Sequence, residues 1–277
     1  MTSRYCKILT GIGLCLGLWG LMLGCSSTPK RPAAVFTNKN QAAIQLELVQ
    51  SEVDRGNYET ALLLLEEARR LAVSVDDPSS LIREGLARGN VLSALGRDAE
   101  AEAVWDAALA EADLAGEAAL AALVRLYKAR RRILTDAAAP EEVLEQVHAE
   151  FGVLRDDGLS LALGWTVIGL AEKERRRWPE AEDALKKAIA LHEKDNYLEQ
   201  GAYDWYLIAS VRSIAADYAG ALQALDEAIA LDRRAENTYG LGMDWRARGD
   251  VYKKMGKLAE AQRAYRRSAA LFRSMNR

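Results

Sequence analysis

The sequence predicts an all-α fold, a solenoid of helical hairpins stacked side by side, and three observations carry that expectation. Trp165, Trp205 and Trp245 stand forty residues apart. An alanine column keeps the same step at Ala61, Ala101, Ala181, Ala221 and Ala261. Half of the 277 residues are apolar, with only 20 Gly and 5 Pro, which suits helices and supplies a buried core. A fixed period of this kind means one structural unit copied along the chain.

Taken in order, residues 41–277 divide into six units of about forty residues, each reading as two amphipathic helices. The first unit carries Gly56, Tyr58, Ala61, Leu65, Ala68 and Leu71; the second carries Gly89, Leu92, Gly96, Ala101, Trp105 and Ala108. The third keeps Ala129 in its column but puts Glu141 where alanine is expected, so it is degenerate, and Pro140 is expected to start its second helix. The fourth places Trp165, Ile168 and Gly169 on one helix and Ala181, Leu185, Ala188 and Leu191 on the next. The fifth repeats this with Trp205, Ile208, Ala209, Ala221, Leu225, Ala228 and Leu231. The sixth has Trp245, Gly249, Tyr252, Gly256, Ala261, Tyr265 and Leu271. Small residues at Gly169, Ala209 and Gly249, faced by Ala181, Ala221 and Ala261, let the paired helices approach closely, and the tryptophans read as core.

This order of aromatic, apolar and small positions, then alanine with an apolar residue four later, resembles the tetratricopeptide repeat over most of the chain. The resemblance implies a right-handed α-solenoid of tetratricopeptide-like hairpins whose first helices line a concave face. Two departures stand out. The family period is about 34 residues, and a closing proline is common, whereas Glu193, Arg233 and Arg273 hold the corresponding places here. Both helices are therefore expected to be longer, with turns near Asp77-Pro78, Ala115-Gly116, Asp157-Gly158, Asn196 and Asn237.

The same register assigns a groove lining, and with it the candidate partner-binding residues Arg83, Asn90, Arg130, Lys173, Tyr203, Tyr206, Ser210, Arg246, Asp250 and Lys253. Leu86, Leu126, Thr166 and Leu170 share those columns. Tyr203 and Tyr206 flank Trp205 and are read as exposed aromatics near arginine, the composition of a peptide hot spot. The runs Lys128–Arg132 and Lys173–Arg177 suit the negative ends of helix dipoles.

The N-terminus carries an address. Arg4 and Lys7 precede an uncharged stretch from Ile8 to Gly24, so residues 1–24 read as a secretory signal. Met22-Leu23-Gly24-Cys25 resembles the lipobox of bacterial lipoproteins, which implies acylation of Cys25. In that family an aspartate after the cysteine commonly retains the protein at the inner membrane. Ser26 in its place implies a lipid anchor at the outer membrane, on its periplasmic face. Residues 25–40, with Pro29 and Pro32, read as a flexible tether.

Charge is uneven: from Gly240 to Arg277 there are ten Lys or Arg against Asp244, Asp250 and Glu260, while the whole chain carries −3. An acidic exported chain argues against nucleic-acid binding. No phosphate loop, metal-ligand spacing or nucleophile elbow appears, so no enzyme, metal or cofactor is expected. The three cysteines, Cys6, Cys15 and Cys25, leave the body without a disulfide framework. The resulting expectation is a membrane-anchored scaffold of the bacterial envelope that docks envelope proteins or peptide segments in its groove. The alternative is a carrier or sensor of a small glycan or lipid. The last helix, with Tyr265, Leu271 and Phe272, is a candidate contact with another copy.

Overall fold

The computed structural model describes residues 37–154 and 157–275, which form twelve successive helices and no strand. The signal at 1–24, Cys25 and most of the tether at 25–40 lie outside the described residues. The first hairpin is α1 (Thr37–Asp54) and α2 (Tyr58–Ser74), so its helix opens inside the stretch read as tether. The others are α3 (Pro78–Ala94) with α4 (Asp98–Ala115), α5 (Ala118–Leu134) with α6 (Pro140–Leu154), and α7 (Gly158–Glu174) with α8 (Trp178–Lys194). Then follow α9 (Leu198–Ile214) with α10 (Tyr218–Arg234), and α11 (Thr238–Lys254) with α12 (Leu258–Met275). No helix among the described residues is long and apolar enough to cross a membrane.

The period is visible in helix starts: Pro78, Ala118, Gly158, Leu198 and Thr238 open the first helices forty residues apart. Most helices run 17 residues and are joined by three-residue turns, so both helices of a unit absorb the additional length. The degenerate unit departs where its sequence does. Its second helix opens at Pro140, two places late, and runs only 15 residues.

What stops ten of the twelve helices among the described residues is a single left-handed residue. Gly56, Gly96, Asp136, Arg176, Ala216 and Gly256 take positive φ inside the hairpins, and Asp76, Gly116, Asn196 and Glu236 do so between them. Around Arg176 the Arg177 amide donates to the Glu172 carbonyl at 2.9 Å, and the Arg176 amide donates to Lys173 at 3.0 Å. That paired closure satisfies the carbonyls that a helix end leaves orphaned, and no proline is required. For the non-glycine residues the conformation costs about 1–2 kcal/mol each.

Close approach then fixes the hairpins. A Cβ added at Gly89 would lie 2.2 Å from the buried Trp105 ring, one at Gly169 would lie 2.6 Å from Leu185, and one at Gly249 would lie 2.4 Å from Tyr265. In each case the partner stands sixteen residues on. Ala181 and Ala221 are fully buried opposite this column. The tryptophans are half-buried rather than enclosed: Trp165 and Trp205 pack against the core from its margin, and Trp245 is half-buried as well. With glycine and alanine filling the hairpin centre, the indoles sit at its margin with ring faces open to cations. Lys187 lies 4.4 Å from the Trp165 ring centroid and Arg267 lies 4.5 Å from that of Trp245. Among the described tryptophans only Trp105, which belongs to a second helix, is fully buried.

Neighbouring units add ion pairs in one recurring register, from a second helix to the next first helix. Examples are Glu66 with Arg88, Asp106 with Lys128, and Asp226 with Arg248. The two ends of the stack come near each other at one point. Gly56, in the first hairpin turn, sits so near the end of α12 that an added Cβ would be 3.4 Å from Met275 Cε. A cavity of about 510 Å³ lies along this seam, lined by Ser51, Arg55 and Asn57 on one side and by Glu199, Asn237, Thr238 and Ser274 on the other.

Two substitutions test these constraints by chemical denaturation. Ala216→Gly relieves a φ of 66° and should raise stability by about 1 kcal/mol. Ala221→Leu should lower it by about 1–3 kcal/mol through overpacking; an unchanged midpoint for Ala221→Leu would contradict the close approach.

Candidate functional site

First helices touch one another along the inner side of the stack, α5 against α3 and α7, and α9 against α11. Two cavities open there. The larger, about 220 Å³, is bounded by α5, α7 and α9, with His192 from the end of α8. The smaller, about 140 Å³, lies between α9 and α11. Tyr203 lines the first and Tyr206 the second, and their rings stack at 6.2 Å between centroids.

The wall of the larger cavity follows from the repeat. Leu123, Leu163 and Tyr203 occupy one position in three successive units, so the period itself builds an apolar strip. Arg130 reaches across it, its guanidinium 4.7 Å from the Tyr203 ring centroid, and its Nε is buried without a hydrogen-bond partner. The run from Lys128 to Arg132 thus divides: its neighbours form ion pairs, and Arg131 and Arg132 also stand in the last turn of α5, at the negative end of its dipole. Lys128 pairs with Glu102 at 3.0 Å, Arg131 with Asp98 at 2.6 Å and Arg132 with Glu142 at 2.7 Å. Arg130 alone turns to the cavity.

Below the strip lies a fully buried carboxylate. Asp204 accepts from Thr166 Oγ1 at 2.7 Å and from His192 Nδ1 at 2.9 Å. Burial pushes this carboxyl above its ordinary range, while the His192 and Thr166 hydrogen bonds and the Arg130 charge pull the other way. Thr166 bonds the carboxylate rather than the imidazole, so the three side chains do not make a nucleophile with an adjacent base. They tie α7, α8 and α9 together.

One unit on, the equivalent positions hold Asp232 and Asp244. These two buried carboxyls act on each other electrostatically, and Asn237 Nδ2 donates to Asp232 Oδ1 at 3.0 Å. Gly240 closes the site, since a Cβ there would stand 2.0 Å from Asp232 Oδ2. Asp244 Oδ2 is buried without a hydrogen-bond partner. Burial first, and then the charge of Asp232, push the Asp244 carboxyl up to about 8; burial pushes Asp232 up to about 7.

The residues expected in the groove separate into three groups. Arg130 and Tyr203 meet in the larger cavity, and Tyr206, Ser210 and Asp250 line the smaller. Arg83, Asn90, Lys173, Arg246 and Lys253 line neither; Lys173 pairs with Glu174 at 3.2 Å, and Arg83, Arg246 and Lys253 are exposed. Leu86, Leu126, Thr166 and Leu170 are buried beneath the surface. Tyr203 and Tyr206 are half-buried against the core rather than freely exposed, because neighbouring units pack around them. Tyr265 donates to Asp250 at 2.7 Å, and Phe272 packs edge-on against Tyr239, so both are engaged within the last hairpin. Sequence reasoning missed His192 and Asp204, whose signal is a spacing of twelve repeated forty residues later by Asp232 and Asp244.

No protein-family model matches the chain, and no curated protein sequence matches it. Among solved structures, BtubC from P. vanneervenii superposes with a TM-score of 0.56 at 17% identity, covering 85% of this chain and 92% of that one. The apo form of RapI superposes at 0.57 with 11% identity, covering 85% of this chain and 67% of the other. At such identities the likeness shows the fold alone, a solenoid of tetratricopeptide-like hairpins.

The Asp232–Asp244 pair sets a pH dependence. The native state holds the two carboxyl protons more tightly than the unfolded chain does, so their contribution is fully present below about pH 4 and is lost as pH rises from there through about 7 to 8. Thermal melts should therefore show a lower midpoint at pH 8.5 than at pH 6. Asp244→Asn, which keeps a hydrogen-bonding partner for Asp232, should flatten that difference; an equally steep profile in the variant would refute the assignment.

Proposed function

We propose that the chain is a membrane-anchored interaction scaffold of the bacterial cell envelope, docking segments of partner proteins along its inner face. The observation that carries this reading is the pair of adjoining cavities floored by the stacked Tyr203 and Tyr206, with Arg130 over one ring. Aromatic rings partly open to solvent, an arginine and an apolar strip at a spacing set by the repeat are the composition of an interface hot spot. A row of positions recurring unit by unit suits an extended or helical segment that spans several first helices.

The anchor is supported by sequence alone, through Arg4, Lys7, the apolar stretch to Gly24, and Cys25. Metabolic labelling with a palmitate analogue should mark the wild-type chain and not Cys25→Ser, which should also leave the membrane fraction. Equal labelling of both would reject the lipoprotein reading.

Docking is read by site-specific photo-crosslinking in the native envelope. A probe replacing Gln200, at the cavity rim, should capture a recurring protein that a probe at the exposed Asp183 does not. Tyr203→Ala with Tyr206→Ala should weaken that capture about thirtyfold, the factor matching a hot spot of about 2 kcal/mol. Arg130→Gln repeats the test with less loss of packing. A second reading, a carrier of a small glycan or lipid, rests on the apolar wall of Leu123, Leu159 and Leu163 around about 220 Å³. Native mass spectrometry that found a bound small molecule, with no protein captured at Gln200, would select it over the scaffold.

A further inference from the structure

The buried carboxyl pair, the seam between the stack's ends and the inner cavity are contiguous. Asp232 accepts from Asn237, and Asn237 lines the seam opposite Ser51, Arg55 and Asn57. Glu199 lines both the seam and the inner cavity, and its charge acts on Asp232. We infer that the seam is a proton-controlled clasp: the proton shared by Asp232 and Asp244 holds the α10–α11 turn against the first hairpin, and its loss releases the ends and widens access to the inner face.

Geometry supplies the mechanism. The seam itself is weakly built, with Met275 near Gly56 at one margin and a polar cavity of about 510 Å³ along the rest. Its closure therefore depends on where the turn at Ala235–Thr238 is held. That turn is placed by Asp232 through Asn237, while Gly240 leaves no slack behind the carboxylate. With one proton between them, Asp232 and Asp244 form a single hydrogen-bonded unit that draws α10 and α11 together. With none, two buried carboxylates repel each other, a repulsion that low polarity strengthens.

From α9 Glu199, which has a partner of its own, adds to the upward push on Asp232; α12 presents the apolar Phe272 against Gly242. Among the described residues no lysine or arginine is among the groups acting on either carboxyl. Arg55, on the far side of the seam, is taken by Glu52 at 2.6 Å. The junction one unit earlier differs in kind, because Asp204 there faces His192 and Thr166 and is satisfied without a shared proton. The clasp accordingly belongs to the last junction, and it stands whether or not the inner face docks a protein.

Hydrogen–deuterium exchange on the full-length protein in detergent tests it, with rates corrected for the chemical effect of pH. Between pH 6 and pH 9 the amides of residues 51–57 and 235–238 should lose protection by about tenfold or more, while those of α3 and α4 hold theirs. Asp244→Asn should hold both seam segments protected at pH 9, and Asp232→Asn should do the same if Asp244→Asn folds poorly. Seam protection that ignores pH, or that falls equally in both variants, would overturn the clasp. Loss spread evenly over α3 and α4 would also overturn it, because it would mark general loosening rather than release of the ends.

Discussion

Close contact between two helices across a residue without a side chain is the constraint from which the rest follows. Where Gly89, Gly169 and Gly249 stand, the facing ring or branched chain occupies the volume a Cβ would need. Such a contact has one register, because a shift along either helix would put a side chain into the same space. Once the hairpin register is set, the three-residue turns and 17-residue helices set the step between units. Columns of residues then align along the inner side without any further specification. The apolar strip of Leu123, Leu163 and Tyr203 is one such column, so the candidate docking surface is a by-product of the way hairpins pack.

Much of this was legible in the amino-acid sequence, and the reasons it stopped where it did are physical. Period, helix count, the late start at Pro140 and the close-packed small residues all show in spacing, because spacing is what the packing constrains. The left-handed turns do not. Arg176, Ala216 and Glu236 carry no compositional signal for positive φ, and the conformation is imposed by the two closing hydrogen bonds of the helix end. The tryptophan column misleads for another reason. Its period marks it as structural, but period alone does not distinguish the centre of a hairpin from its margin. The groove columns named Arg130 and Tyr203 without pairing them, and set Arg83 and Lys253 beside them, where the structure leaves both away from the cavities. His192 and Asp204 were hidden because each lies in a different unit, and only comparison of a twelve-residue offset across successive junctions reveals the pairing.

Those offsets also show how one scaffold is differentiated. At the corresponding junction earlier in the stack stand Ala112 and Val124, both buried and apolar, and then Gly152, which is exposed, and Gly164, where the Phe151 ring fills the space. Such contacts are indifferent to pH and salt. The two following junctions exchange this for buried polar pairs, which are stable only while their hydrogen bonds are complete. Asp204 has two donors fixed by neighbouring helices. Asp232 and Asp244 have chiefly each other and a proton, so their junction is conditional in a way the others are not.

Placing the conditional junction last has a mechanical consequence. Movement at an internal junction would disturb packing on both sides, whereas movement between the fifth and sixth hairpins displaces only the terminal unit and the seam it closes. Glu199 sits at the meeting point, facing the inner cavity on one side and the seam on the other. An occupant that touches Glu199 alters the charge felt by Asp232, and the protonation of Asp232 alters the position of the turn that lines the seam. The two effects are reciprocal by thermodynamic linkage: any preference of the occupant for the open or closed stack equals the preference that the stack's state confers on the occupant. A helical solenoid whose ends meet therefore gains a regulated entrance from one pair of carboxyls, with no added domain.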